Sequence, residues 1–418
     1  GSDYLSSNTG RPQVVFASFQ DILGKGRKTR VKEKFKSVFD EEWDCVFIDE
    51  YHFGAWRDAA KDLYSGDQDE DAMKSLAEHK VEDFLLKVRH ALYLSGTPFR
   101  ALANGEFTED QIFNWTYTDE QRAKNEFGEL PGNPYLDLPK MVLMTYQIPD
   151  LIREVALDSD TNEFDLNEFF KAEKHGSSKG YKFKYEDQVN MWLNLLRGQI
   201  GSEKISSPHA VNDTTVLPFK TSTLQSYLSH TFWFLPSVAS CYAMADLLKR
   251  NGSFYSNYSV VIAAGNKAGM GEKAIAPVKE TIGSLPQKSK TITLSCGKLT
   301  TGVSIPFWSG IFMLRNTSSP ETYFQAAFRV QTPWSYKNPK EESEKVVIKN
   351  ICYVFDFAPT RALRLISEYS SRLNLNDNEG VTSKVEEFIN FLPVLCYDGS
   401  KMQELNATEL LDIATAGT

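Results

Sequence analysis

Short apolar runs of four or five residues recur along this chain, bounded by turn residues and separated by helix-length stretches, and they do so in two sets. Runs that short and that apolar read as strands buried on both faces, the arrangement of a parallel sheet covered by helices. The first set is Val14-Val15-Phe16-Ala17, Cys45-Val46-Phe47-Ile48 and Ala91-Leu92-Tyr93-Leu94, with Met141-Val142-Leu143-Met144 as a further member. The second is Thr231-Phe232-Trp233-Phe234-Leu235, Val260-Val261-Ile262-Ala263, Thr291-Ile292-Thr293-Leu294, Ile311-Phe312-Met313-Leu314 and Ile351-Cys352-Tyr353-Val354-Phe355. Two sets predict two α/β lobes, over 1–148 and 230–358. Between them, 149–229 lacks the rhythm and reads as a partly helical insertion or linker, with its best helix over Val189–Leu196. Beyond residue 359 the pattern predicts a helical extension, with helices over Thr360–Arg372 and Lys384–Leu392.

Composition narrows the class. With 418 residues and 41% hydrophobic content, the chain can bury two or three separate cores. No run of about 18 apolar residues offers a membrane span and no secretory leader is visible, so a cytoplasmic protein is expected. Cys45, Cys241, Cys296, Cys352 and Cys396 are scattered and never form a CxxC pair. They read as reduced core residues, with neither a disulfide framework nor a zinc site. The six histidines show no metal-ligand spacing. A formal charge of -9 argues against nucleic-acid binding by bulk charge alone. One local exception is the run from Lys25 to Lys36, with Lys25, Arg27, Lys28, Arg30, Lys32, Lys34 and Lys36 against the single acid Glu33; such runs are also common on solvated faces.

Chemistry is most visible at Val46-Phe47-Ile48-Asp49-Glu50-Tyr51-His52, where an apolar strand runs into two carboxylates and a histidine. Parallel sheets bind ligands at the carboxyl ends of their strands. In an ATPase a pair of acids there divides the work: one holds Mg2+ through water, and its neighbour orients and deprotonates the attacking water. Further on, Leu92-Tyr93-Leu94 ends in the hydroxyl-rich turn Ser95-Gly96-Thr97-Pro98.

These residues resemble the superfamily 2 helicases and translocases. Asp49-Glu50-Tyr51-His52 looks like their DExH box and Ser95-Gly96-Thr97-Pro98 like their motif III. Val15-Phe16-Ala17-Ser18-Phe19-Gln20 is similar to the segment that meets the nucleic-acid backbone before the DExH box. In the second set, Phe232–Leu248 looks like motif IV, with Ser237 at its turn. Leu299-Thr300-Thr301-Gly302-Val303-Ser304-Ile305-Pro306 resembles motif V, and Gln325-Ala326-Ala327-Phe328-Arg329-Val330-Gln331-Thr332 resembles motif VI. The combination looks closest to the motor subunits of type I and type III restriction enzymes.

The resemblance implies two RecA-like parallel-sheet lobes with ATP and Mg2+ as cofactors and a nucleic acid, DNA in preference to RNA, as the track. Nuclease or modification subunits or domains would be further partners. It assigns catalysis to Asp49, Glu50, His52 and Arg329, the metal through water to Asp49, and the nucleotide to Asp49, Gly302, Gln325 and Arg329. Coupling falls to Ser95 and Thr97, and nucleic-acid contact to Ser18, Gln20, Lys25, Arg27, Lys28, Ser237, Thr300 and Thr301.

Three departures qualify it. No G-x-x-x-x-G-K-[ST] phosphate loop precedes the DExH box, which suggests a first lobe truncated at its N-terminus and negligible turnover by this chain alone; Gly24–Thr29 has the wrong spacing and Gly265–Lys273 falls in the other lobe. Ser304 stands where many relatives carry Asp. Thr332 replaces the second arginine of motif VI, which leaves Arg329 or Arg315 as the cation that neutralises the transferring phosphate. A catalytically silent scaffold that keeps the fold and nucleic-acid binding, and an unrelated two-domain α/β enzyme using Asp49 and Glu50, are the rival readings.

If the basic run meets phosphates, removing each cation that touches one should flatten the slope of log K against log salt by about 0.9 on duplex DNA. A salt titration of DNA binding by the intact protein, with Lys25, Arg27, Lys28 and Arg30 replaced by alanine, should show a flatter slope than the wild type; equal slopes assign the run to a solvated face.

Overall fold

The computed structural model describes residues 12–17, 35–49, 86–95, 107–128, 130, 132–159, 161–174, 180–199, 217–252, 254–265, 272–297, 299, 303–338, 341–373, 380–398 and 401–415. The chain forms two compact units, one of Gly1–Lys61 with Asp69–Thr108 and the other of Asp62–Gln68 with Glu109–Thr418.

In the first unit a short helix, Lys36–Asp40, leads into β1 (Glu42–Ile48), which pairs in parallel with β2 (Lys87–Tyr93) from Glu42↔Lys87 to Ile48↔Tyr93. The two strands follow the sequence pattern, but they are not buried: Phe47 is 66% and Leu92 45% exposed. The expected strand over Val14–Ala17 does not form. Val14–Ala17 belong to no strand of the described structure, and Phe16 is 92% exposed. Apolar, β-branched residues favour extended backbone, but a strand exists only where neighbouring amides and carbonyls pair with it.

The second unit is built on an eight-stranded sheet of β3 (Lys140–Tyr146), β6 (His230–Phe234), β7 (Ser259–Ile262), β8 (Thr291–Ser295), β9 (Gly310–Met313), β12 (Ile351–Asp356), β13 (Val394–Tyr397) and β14 (Met402–Glu404), in the order β14-β13-β3-β12-β9-β6-β8-β7. Every pairing except that of β13 with β14 is parallel. Two small hairpins, β4 (Ala172–Lys174) with β5 (Tyr181–Phe183) and β10 (Ser335–Asn338) with β11 (Glu341–Val347), lie outside it. The α/β class and parallel sheet are those expected of RecA-like lobes.

β6, β8 and β9 are buried along their whole length, as runs apolar on both faces require. The helix Val238–Arg250 starts where the Ser237 hydroxyl accepts the Ser240 amide at 3.1 Å and ends on Lys249 and Arg250, which suit the helix dipole. It buries Cys241, Met244, Leu247 and Leu248. At the centre, Trp233 lies 5.8 Å from Trp192 and 4.9 Å from Phe312.

Three segments sit differently from their sequence reading. β3, grouped there with the first set, pairs between β12 and β13 in the large sheet. The 149–229 segment shares the sheet's core, through Phe169, Phe170, Trp192, Leu196 and Phe219. Past residue 359 the chain is not only helical: after the helices Pro359–Leu373 and Val381–Phe391 it supplies β13 and β14. Local periodicity identifies a strand or helix but does not choose its neighbours.

Among the described residues no helix is long and apolar enough to cross a membrane, and no cluster of three His, Cys, Asp or Glu could hold a metal ion.

Gly310 opens β9 against filled core. A Cβ there would stand 2.5 Å from Leu228 Cδ2 and 3.3 Å from Phe355 Cε2, both wholly buried side chains. Gly310→Ala is expected to destabilise the protein by about 1–3 kcal/mol, the usual cost of overpacking a filled core, visible as a lower midpoint in urea unfolding.

Candidate functional site

β1 and β2 run in the same direction and end side by side, with the Leu94 amide donating to the Ile48 carbonyl at 2.8 Å. Asp49 and Ser95, each one step further, therefore stand at neighbouring carboxyl ends. Asp49 is in a turn and exposed, and Ser95 is half-buried. An exposed carboxylate at such an edge suits a hydrated divalent cation, which keeps most of its own water. Glu50, His52, Thr97, Ser18, Gln20, Lys25, Arg27 and Lys28 lie outside the described residues, as do Thr300, Thr301 and Gly302.

In the second unit, the chain leaving β6 goes on to β7 on one side of the sheet, and the chain leaving β9 goes on to β12 on the other. Strand order thus reverses between the adjacent β6 and β9, and a parallel sheet opens its ligand crevice at such a point. Ser237 lies just past β6, and Arg315 and Asn316 just past β9. The Ser237 hydroxyl is engaged as the helix cap and lies 2.7 Å from the Ser240 hydroxyl, which in turn donates to the Phe170 carbonyl at 2.6 Å.

Arg315 is 5% exposed. Its guanidinium lies over the Phe234 ring at 5.1 Å and donates to the Cys296 carbonyl at 2.9 Å. That is a bracing position between strand ends. Asn316 fixes the crossing loop: its side chain accepts the Leu166 amide at 3.2 Å and donates to Asp165 at 2.9 Å, and its own amide donates to Asn167 at 3.0 Å.

Arg329 and Gln325 are half-buried at the end of the helix Pro320–Ala327 and in the following turn, Phe328–Gln331. The Arg329 guanidinium donates to the Val303 carbonyl at 2.8 Å and to the Gln325 carbonyl at 3.1 Å. It therefore joins the motif VI-like turn to the motif V-like segment. Thr332 donates back to the Arg329 carbonyl at 3.4 Å.

Sequence reading missed Asp356 and Arg361, although the signal was present. Ile351–Phe355 is an apolar run ending in an acid, the pattern that singled out Asp49. The outcome is different: Asp356 is wholly buried, both its oxygens accept from Arg361 at 2.9 Å, and one also accepts the Ala358 amide at 2.8 Å. Burial pushes the carboxyl up, and the guanidinium draws it back. Arg361 also donates to the Arg315 carbonyl and to Asn316, so the pair anchors the loop that carries Arg315. Asp356→Ala should cost about 3–5 kcal/mol by leaving the buried guanidinium without its counter-charge, read as a loss of unfolding free energy; a change below about 1 kcal/mol would show that the pair is not an anchor.

No protein-family model matches the chain. It is 29% identical over 440 residues to a Mycoplasma pneumoniae protein named "Putative type II restriction enzyme and methyltransferase RM.MpnORF110P C-terminus", an alignment that covers 96% of this chain and 58% of that protein. The chain therefore spans somewhat more than half the length of this curated relative. A solved structure, "ATP-dependent Type ISP restriction-modification enzyme LlaBIII bound to DNA", superposes with a TM-score of 0.41 and 12% identity over 84% of this chain and 20% of that one, a likeness too slight to carry an argument. Along nearly its whole length, then, the chain is similar to part of a protein named for restriction and methylation.

Proposed function

We propose that this chain is part of the ATP-driven motor of a restriction-type enzyme that moves along duplex DNA. The observation that carries this reading is the parallel pairing of β1 with β2, which sets Asp49 and Ser95 at adjacent strand ends. In this arrangement a metal-holding acid and a coupling hydroxyl serve one ligand. The similarity to a protein named for restriction and methylation supports DNA as the track.

In this reading Asp49 holds Mg2+ through water, and Glu50 orients the attacking water and takes its proton. Ser95 and Thr97, with His52, couple the state of that site to motion. Gly302 and Gln325 approach the nucleotide and Arg329 answers the charge on its phosphates. Bound Mg-ATP supplies the phosphoryl group whose transfer drives motion. Ser18, Gln20, Lys25, Arg27, Lys28, Ser237, Thr300 and Thr301 face the track and meet its backbone phosphates, so grip is sequence-tolerant and salt-dependent.

The test is ATP hydrolysis by the full-length protein with and without duplex DNA. Hydrolysis stimulated by DNA is expected, and Glu50→Gln should lower kcat about 100-fold or more, the range lost with a general base, while DNA binding persists. DNA binding without hydrolysis in the wild type would establish a silent scaffold and end the motor reading.

A further inference from the structure

Lys349 lies between β11 and β12 at the amino end of the large sheet, outside every motif described above. It is 3% exposed, and among the described residues it makes no ion pair. Its ammonium donates to three main-chain carbonyls: Pro306 at 2.7 Å, Trp308 at 2.7 Å and Val330 at 2.9 Å. The nearby Cys352 thiol is no counter-charge, since burial pushes it up to about 12 and keeps it neutral. Burial lowers the Lys349 pKa to about 8, and among the described residues the compensation for a cation held here at the cost of its hydration comes from carbonyl dipoles.

Those carbonyls come from two segments. Pro306 and Trp308 close and follow the motif V-like run, and Val330 is in the turn that carries Arg329. The same two segments are joined a second time, when Arg329 donates to Val303 at 2.8 Å. Two cations, one from the turn itself and one from just before β12, thus clamp the turn to the 303–308 segment. The Lys349 main chain is tied in as well, through its amide to the Trp334 carbonyl at 3.2 Å.

We infer that Lys349 is a positioning residue, which holds the Phe328–Gln331 turn against 303–308 and so sets where the Arg329 guanidinium points. The inference rests on the role proposed for Arg329 above. Misplacement of a catalytic group by about 1 Å costs up to about 100-fold in rate. Losing the ammonium also leaves three buried carbonyls unpaired, so the turn should shift or loosen without loss of the sheet.

The experiment uses the full-length protein with Lys349→Met, and Lys349→Gln as a second variant that keeps two N–H donors. Two quantities are read: kcat and KM for DNA-stimulated ATP hydrolysis, and amide hydrogen exchange. Lys349→Met should lower kcat by about 10- to 100-fold with KM within about twofold of wild type, and Lys349→Gln should lie between. Exchange should accelerate within 303–309 and 328–332 while β6 and β8 keep their protection. An unchanged kcat in a folded variant overturns the inference. So does exchange that fails to rise in those two segments, or that rises equally throughout, which would mean a merely structural role. If the wild type does not hydrolyse ATP, the motor reading fails by itself and the exchange result alone decides whether the clamp exists.

Discussion

The parallel ladder through β8, β6, β9 and β12 is the constraint on which the second unit depends. Its central strands are buried on both faces, so their amides and carbonyls can be satisfied only by one another. The ladder continues past the strand ends, with the Leu235 amide on Ser295 at 2.8 Å and the Leu314 amide on Phe234 at 2.9 Å. That continuation delivers Ser237 and Arg315 side by side to the carboxyl edge. It also forces small residues where layers close, which is why β9 begins with Gly310.

At strand ends, charge is handled in two contrasting ways. Asp49 ends its strand in an exposed turn, where a carboxylate keeps its hydration and can meet a ligand. Asp356 ends its strand inside the protein and takes Arg361 as an internal partner. One local pattern, an acid after an apolar strand, therefore yields a candidate ligand site in one unit and an anchor in the other. What separates them is coverage: residues packed over a strand end remove water, and an uncompensated charge there is too costly to keep. Arg329 and Lys349 show the same logic with cations, both answered by main-chain carbonyls and both joining segments distant in sequence.

Much of this was legible in the residues alone. The alternation of short apolar runs with helix-length stretches determined an α/β chain with parallel strands, because strands buried on both faces must be apolar on both. Ser237 at the turn after its strand, and Asp49 and Ser95 at successive strand ends, followed from where the apolar runs stop. The cysteines read as core residues, and Cys241, Cys296, Cys352 and Cys396 are buried, Cys45 being the exposed exception.

Tertiary structure decided what local pattern cannot carry. It placed β3 between β12 and β13, drew 149–229 into the sheet's own core, and turned part of the tail past 359 into two strands. It left Val14–Ala17 outside every described strand, and it paired Asp356 with Arg361 and Lys349 with three carbonyls. The physical reason is common to all of these. Periodicity reports which faces of an element avoid water, a property of neighbouring residues. The choice of strand partner, and the fate of a charge, depend on which distant segments arrive beside it, and that is settled only when the whole chain packs.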